Sequence, residues 1–340
     1  MIIKSSKGNN RNIYLDYIRA IACICIVLYH YTQRFTELYE YGKTWPIKVS
    51  WGYMAITVFF ILSGYLAVMK NEENSILNYI KMKVLRLYPA YWTAIILTFI
   101  VTSFLLPSRA VSFRDMLVNL TMLESFIGVP LVDGAYWTLA NELVFYAYIA
   151  IVVVILRRKD KLQVYCVVWL FFLFLYSLFE SDSLLFAAIG KLIAKQYGHM
   201  FIIGISLYSL FNDTQNKKSV FFAIISLVLS FIYHYFTFEF HYFVFFTVTT
   251  ALICVGIFLH KKGIEVPDKV RRVLFPIEFI GTISYPLYLV HQNIGYAILC
   301  LFSYRVLSDE MIILLPIGVV VIIAYLIHVY LEKPLYRRFG

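Results

Sequence analysis

What most constrains this chain is a recurrence of apolar stretches, each about twenty residues long, the length that spans ~30 Å of hydrocarbon as a helix. About ten can be drawn, near 13–32, 51–69, 87–106, 136–156, 163–179, 197–211, 219–237, 241–260, 277–302 and 311–331. The sixth is short, and 184–196 before it reads as an extension or a re-entrant piece. A soluble core does not explain the pattern. Of 340 residues, 61% are hydrophobic and 15% charged, against roughly 45–50% and about 25% in soluble domains. The 28 Tyr and 29 Phe suit membrane–water interfaces. The expected fold is an all-α polytopic transmembrane bundle.

Charge sets the expected orientation. With loops placed on alternate sides, the N-terminal segment, the loops near 70–86, 157–161, 217–218 and 261–272 and the C-terminal tail hold 21 of the 30 Lys and Arg. The opposite side holds six: Arg34, Lys43, Lys48, Arg109, Arg114 and Arg305. Lys191 and Lys195 join them if 184–196 faces out. The bias puts both termini in the cytoplasm. It also accounts for the net charge of +10 without a nucleic-acid partner.

The polar start, residues 1–12, precedes an apolar run with no small-residue cleavage site, so it reads as retained. The five cysteines lie in apolar runs without metal-binding spacing, as buried hydrophobes rather than a disulfide framework. No internal repeat and no soluble domain is apparent. The expectation is one domain over 1–340, with the bundle at 13–331 and a cytoplasmic tail at 332–340.

The first span, "YLDYIRAIACICIVLYHY" (14–31), carries Asp16, Arg19 and His30. A charge at the centre of a lone membrane helix costs roughly 2.5–3.5 kcal/mol on insertion scales. Arg19 and His30 are three turns plus ~20° apart, ~16 Å in depth, and Asp16 lies about 60° from Arg19. All three share a face, which should point into the bundle. Two readings stand at this point: an Asp16–Arg19 anchor with an interfacial histidine, or one wall of a polar site.

Other polar residues lie at membrane depth. "KMKVLRLYPAYW" (81–92) places Lys81, Lys83 and Arg86 at the start of a span, either as snorkelling anchors or as a binding cluster for an anionic ligand. Pro89 is expected in the first turns of that helix. Glu142 lies inside the span from Tyr136 and should face a polar interior. Ser284, Tyr288 and His291 fall at i, i+4 and i+7, one helical face. Pro286 frees a backbone carbonyl among them. A chain that keeps all of these moves or transforms something polar.

Six stretches in order carry a resemblance: "LDYIRAIACICIVLYH" (15–30), "FFILSGYL" (59–66), "KVLRLYPAYW" (83–92), "YWTLANELVFY" (136–146), "ISYPLYLVH" (283–291) and "EKPLYRR" (332–338). The chain resembles the acyltransferase-3 family of membrane acyltransferases over nearly its whole length. The family's basic-x10-His motif maps onto Arg19 and His30. Its RxxR motif maps onto Lys83 and Arg86, where lysine keeps the charge but loses the planar fork. Its W-S/T-L-x-x-E motif maps onto Trp137, Thr138, Leu139 and Glu142.

The resemblance implies transfer of an acyl group, usually acetyl, from cytoplasmic acetyl-CoA to a sugar hydroxyl of a cell-surface or lipid-linked polysaccharide. It implies an integral protein of the cytoplasmic membrane. His30 is then the expected base or transient acyl carrier, and Glu142 the expected partner that orients or charges the imidazole. Arg19, Lys83 and Arg86 are expected to hold acetyl-CoA, with Asp16 orienting Arg19. Trp137, Ser284, Tyr285, Tyr288 and His291 are expected to support or line the cavity. No metal is expected. A secondary transporter or glycan exporter is the competing reading, since buried ionisable groups serve it equally well.

Overall fold

The structure, a computed structural model, describes residues 12–39, 48–69, 75–157, 159–179, 181–302 and 309–339. Lys4, Lys7, Arg11, Lys43, Lys70, Arg158 and Arg305 of the charge count lie outside them. The protein is all-helical, 85% helix, with no strand among the described residues. Among the described residues, six helices are long and apolar enough to cross a membrane: α1 (Ile13–Tyr39), α3 (Ile76–Leu105), α4 (Gly134–Ile155), α7 (Lys217–Thr237), α8 (Phe240–Lys261) and α11 (Ile312–Leu335). Five shorter apolar helices pack among them: α2 (Gly52–Val68), α5 (Leu162–Ser177), α6 (Gly198–Asn212), α9 (Phe275–Val290) and α10 (Gln292–Phe302). The stretch 184–196 contains a short helix, Leu184–Leu192.

The helices are dressed for lipid. On α7 the outward stripe is Phe221, Ile224, Val228, Ile232 and Tyr235, while the inward face is Ala223, Ser226, Ser230, Tyr233 and His234. This inverts the soluble pattern, as expected where the solvent is hydrocarbon and small residues serve the packing. The tightest crossing is α2 on α6. A Cβ on Gly64 would strike the carbonyl of Phe201, and one on Gly204 that of Ile61. Gly281 does the same for α9 against α1, where a Cβ would sit 2.7 Å from the Asp16 carbonyl. That approach brings Ser284 and Tyr285 onto the Asp16–Arg19 face.

Three features depart from the expected spans. First, α1 continues past 32 to Tyr39, through a π-helical turn at His30–Arg34. Such turns insert a residue into the ladder and re-aim side chains, often at functional sites. Second, α3 is 30 residues long, ~45 Å, and starts at Ile76 rather than near 87. Pro89 is therefore well inside the helix, not in its first turns. Its missing N–H leaves the carbonyl four residues earlier unsatisfied. Close by, Thr93 Oγ1 donates to the Pro89 carbonyl at 2.9 Å and Tyr285 Oη to that of Leu87 at 2.9 Å.

Third, the expected span 277–302 is broken at His291, between α9 and α10. The His291 carbonyl accepts from Tyr31 Oη at 2.7 Å and from Gly295 N at 3.1 Å. Interrupted helices survive at membrane depth where neighbours satisfy the freed backbone. Ser284 and Tyr288 line one cavity, whereas His291, still in helical conformation, is fully buried against the Tyr288 and His30 rings.

Candidate active site

Two cavities flank the middle of the bundle. The first, about 210 Å³, is lined by Arg19, Arg86, Glu142, Ser284, Tyr285 and Tyr288 from the expected set. Ser63, Thr138, Thr282, His328 and Glu332 complete its polar lining. The second, about 390 Å³, holds His30, Trp137 and again Tyr288, together with Arg34, Arg109 and Gln292. Ile56 and Tyr288 line both. A third groove of about 640 Å³, lined by Trp51, Tyr53 and His241, lies beside the second. Asp16, Lys83 and His291 line neither of the first two.

The Arg19 cavity is built on short hydrogen-bonded pairs. Asp16, 7% exposed, holds Arg19 at 3.2 Å across one helical turn. Glu142 Oε1 accepts from Ser63 Oγ at 3.2 Å and from Tyr146 Oη one turn further along α4. The Lys83 ammonium lies over the Tyr146 ring, 4.0 Å from its centroid, and 5.2 Å from that of Tyr79. It is thus a cation–π neighbour of the residue that holds Glu142, rather than a cavity wall. His328 Nδ1 and Glu332 Oε2 are 2.7 Å apart in another π-helical turn, His328–Glu332. Among the described lining residues, two guanidinium groups face two carboxylates.

In the second cavity, His30 Nδ1 is 2.9 Å from Tyr296 Oη. Its Nε2 makes no hydrogen bond among the described residues, and the ring lines the cavity. The ring also meets that of His291 edge-on, with centroids 4.9 Å apart. His291 is fully buried, and its Nδ1 lies 2.7 Å from the Tyr288 carbonyl. A carbonyl only accepts, so Nδ1 carries the proton and the unpartnered Nε2 the lone pair. The expected Glu142–imidazole contact is not formed: Glu142 is spent on Ser63 and Tyr146, and His30 on Tyr296. The two sit in different cavities because Tyr288 stands between them.

Asp133 fixes the floor of this region. Fully buried, it accepts from Ala135 N through Oδ1 and from Asn293 N through Oδ2, both at 2.9 Å. It thereby ties the start of α4 to the start of α10. Burial pushes its carboxyl up to about 6, against the two backbone hydrogen bonds and the Arg109 charge.

Several of these residues escaped the sequence reading. Arg34 and Arg109 were only loop charges there, and Tyr296 has no local signal because its partner is 266 positions away. The His328–Glu332 pair was findable, since i and i+4 share a helix face and Glu332 opens the "EKPLYRR" stretch. Among the described residues, no group of three His, Cys, Asp or Glu is placed to hold a metal ion.

No curated protein and no solved structure gives a significant match. The model of the acyltransferase-3 family, an acyltransferase domain, matches residues 12–337. Nearly the whole chain is covered, and every residue of the two cavities falls inside the match. The chain belongs to the acyltransferase-3 family of membrane acyltransferases.

Proposed function

We propose that this acyltransferase moves an acetyl group from cytoplasmic acetyl-CoA to a hydroxyl of a sugar in a surface or lipid-linked polysaccharide, across the cytoplasmic membrane. In this reading residues 1–340 form one domain of about ten spans with both termini in the cytoplasm. The Arg19 cavity is the donor side, and the His30 cavity the acceptor side. The observation that carries the reading is the pair of cavities meeting at Tyr288, one with arginines and carboxylates, the other with an open imidazole nitrogen.

The donor fits in part. About 210 Å³ is below the ~300–1,000 Å³ of whole small-ligand sites, so the cavity takes the acyl-pantetheine end. Its charges balance, which suits a neutral thioester better than phosphates. The phosphates then stay at the mouth, near exposed Lys81, Arg337 and Arg338. Arg19 and Arg86 polarise the thioester, and Lys83 holds Glu142 through Tyr146.

In the transfer, the acyl end reaches past Tyr288, where the two cavities meet, and the acceptor oxygen attacks the thioester carbonyl. A C–O bond forms, the C–S bond breaks, and the hydroxyl proton passes to His30 Nε2 and on to the leaving thiolate. For Nε2 to accept it, Nδ1–H donates to Tyr296 Oη. A broken helix such as α9–α10 also occurs in transporters, but family membership favours group transfer. The deciding experiment is mass spectrometry of the surface glycan from cells expressing wild-type protein or His30→Ala at equal level. A gain of about 42 Da, expected for acyl transfer of acetyl, should vanish in the variant. Normal acetylation in His30→Ala overturns the assignment.

A further inference from the structure

The charge around His30 is one-sided. Arg34 and Arg109 both line its cavity, and no carboxylate does among the described residues. Arg34 spends Nη1 on Glu37, at 2.8 Å, and Glu37 belongs to the neighbouring groove. Arg109 is half-buried at the end of a 3-10 turn, Pro107–Arg109. Its backbone N–H donates to the Leu106 carbonyl at 2.9 Å, and its side chain makes no hydrogen bond or ion pair among the described residues. The nearest candidate partner, Asp133, has each oxygen engaged by a backbone N–H, from Ala135 and Asn293. A guanidinium offers five donors in a planar fork, and here the Asp133 carboxylate acts on it by charge alone, which leaves those donors without an acceptor. The contrast with the Arg19 cavity is direct: there two arginines are matched by Glu142 and Glu332.

We infer that the His30 cavity selects an acceptor bearing an anionic oxygen group, a sugar carboxylate or a phosphate ester, which Arg109 receives with Arg34 beside it. The cavity of about 390 Å³ lies within the ~300–1,000 Å³ of small-molecule sites, with room for a sugar ring as well as its charged substituent. Trp137 and Tyr288 supply ring faces, and the Gln292 amide a neutral polar contact. Bidentate recognition of carboxylate or phosphate is what Arg does best. The anion fixes the ring so that a free hydroxyl faces His30 Nε2. Arg109 is a specificity-determining residue, not a catalytic one.

This inference rests on the His30 cavity being the acceptor side, so binding and turnover are read separately. Binding of glucose, glucuronate and glucose 6-phosphate to full-length protein in detergent is measured by saturation-transfer NMR. Wild type should bind at least one charged sugar about tenfold more tightly than glucose, the size of one charge-assisted hydrogen bond. Whichever of the two binds more tightly names the source of the anion. The preference should collapse to about one in Arg109→Gln and return in part in Arg109→Lys. Equal affinity for all three sugars, no saturable binding of any, or a preference that survives Arg109→Gln overturns the inference. Acetyl-CoA-dependent thiol release is followed on the same samples. Its absence alongside an Arg109-dependent anion preference counts against acyl transfer and leaves the anion site standing.

Discussion

The hydroxyls of Tyr288 and Thr138 lie 2.8 Å apart, and Tyr288 Oη also reaches the Ala135 carbonyl at 2.9 Å. This pair pins the one polar side chain that faces both cavities. α9 is thereby locked to the start of α4, and a partition stands between Arg19 and His30. Thr138 belongs to the same turn that presents Trp137 to one cavity, and Glu142, one turn on, faces the other.

The partition should couple donor cleavage to transfer. Tyr288→Phe removes the hydroxyl but keeps the ring, and should cost about 1 kcal/mol of stability with transfer reduced less than about tenfold. Tyr288→Ala joins the cavities and admits water, so thiol release should outrun sugar acylation by about tenfold or more, as expected when a site no longer excludes water. Parallel assays of free thiol and acylated product decide it. A release-to-product ratio unchanged in Tyr288→Ala would remove Tyr288 from this role.

Tyr296 should matter only through His30. Tyr296→Phe keeps the aromatic packing against Phe35 and Tyr39 and leaves Nδ1 without its partner. Turnover should fall about 10- to 100-fold, short of the ~10²–10⁴-fold expected when a general base is removed in His30→Ala. In a His30→Ala background, Tyr296→Phe should have no further effect on kcat. An additive loss in the double variant would show a separate role for Tyr296.

Lys83 and Tyr146 should act as a unit. Lys83→Met and Tyr146→Leu each disturb the seat of Glu142, the second by removing the ring beneath the ammonium. A double-mutant cycle on the donor KM should give a coupling of about 0.5–2 kcal/mol, the range of a partly desolvated cation–π contact. Lys83→Arg, which keeps the charge over the ring, should retain most of the wild-type value. Strict additivity would place Lys83 on the donor's phosphates instead.

Glu124 predicts a pH dependence outside the membrane-spanning segments. It is fully buried in the short helix Glu124–Ile127 of the 107–133 connection, and neither carboxylate oxygen has a partner. Burial raises its carboxyl from 4.5 to about 7. The native state then holds the proton where the unfolded state has lost it, so stability falls as pH rises from about 4.5 through about 7. Hydrogen exchange of Phe113–Asn119 and Glu124–Ile127 should quicken across that window in wild type. In Glu124→Gln the exchange should be flat across it, after correction for intrinsic rates.

The apolar lengths, the charge bias and the six motifs are local facts, and they made the bundle legible before any coordinate. Helical periodicity alone placed Asp16, Arg19 and His30 on one face, because an α-helix turns by a fixed ~100° per residue. It failed where the helix stops being regular. The π-turn at His30, the break at His291 and the mid-helix Pro89 are each held by contacts from elsewhere, Tyr296 on His30 and Tyr31 on the His291 carbonyl among them.

The composition of the site was largely present in the chain, whereas its division was not. Glu142 was the expected partner of His30 by analogy with a catalytic triad, once the resemblance had given both residues a role. Which of them meet depends on two close helix crossings, α2 on α6 at Gly64 and Gly204 and α9 on α1 at Gly281, and on one tyrosine pinned between the cavities. Periodicity is encoded by neighbours in sequence, so sequence determined the helical, membrane-embedded class and the faces of its regular stretches. The pairing of faces is decided by packing between residues far apart in the chain, and only the tertiary structure sets it.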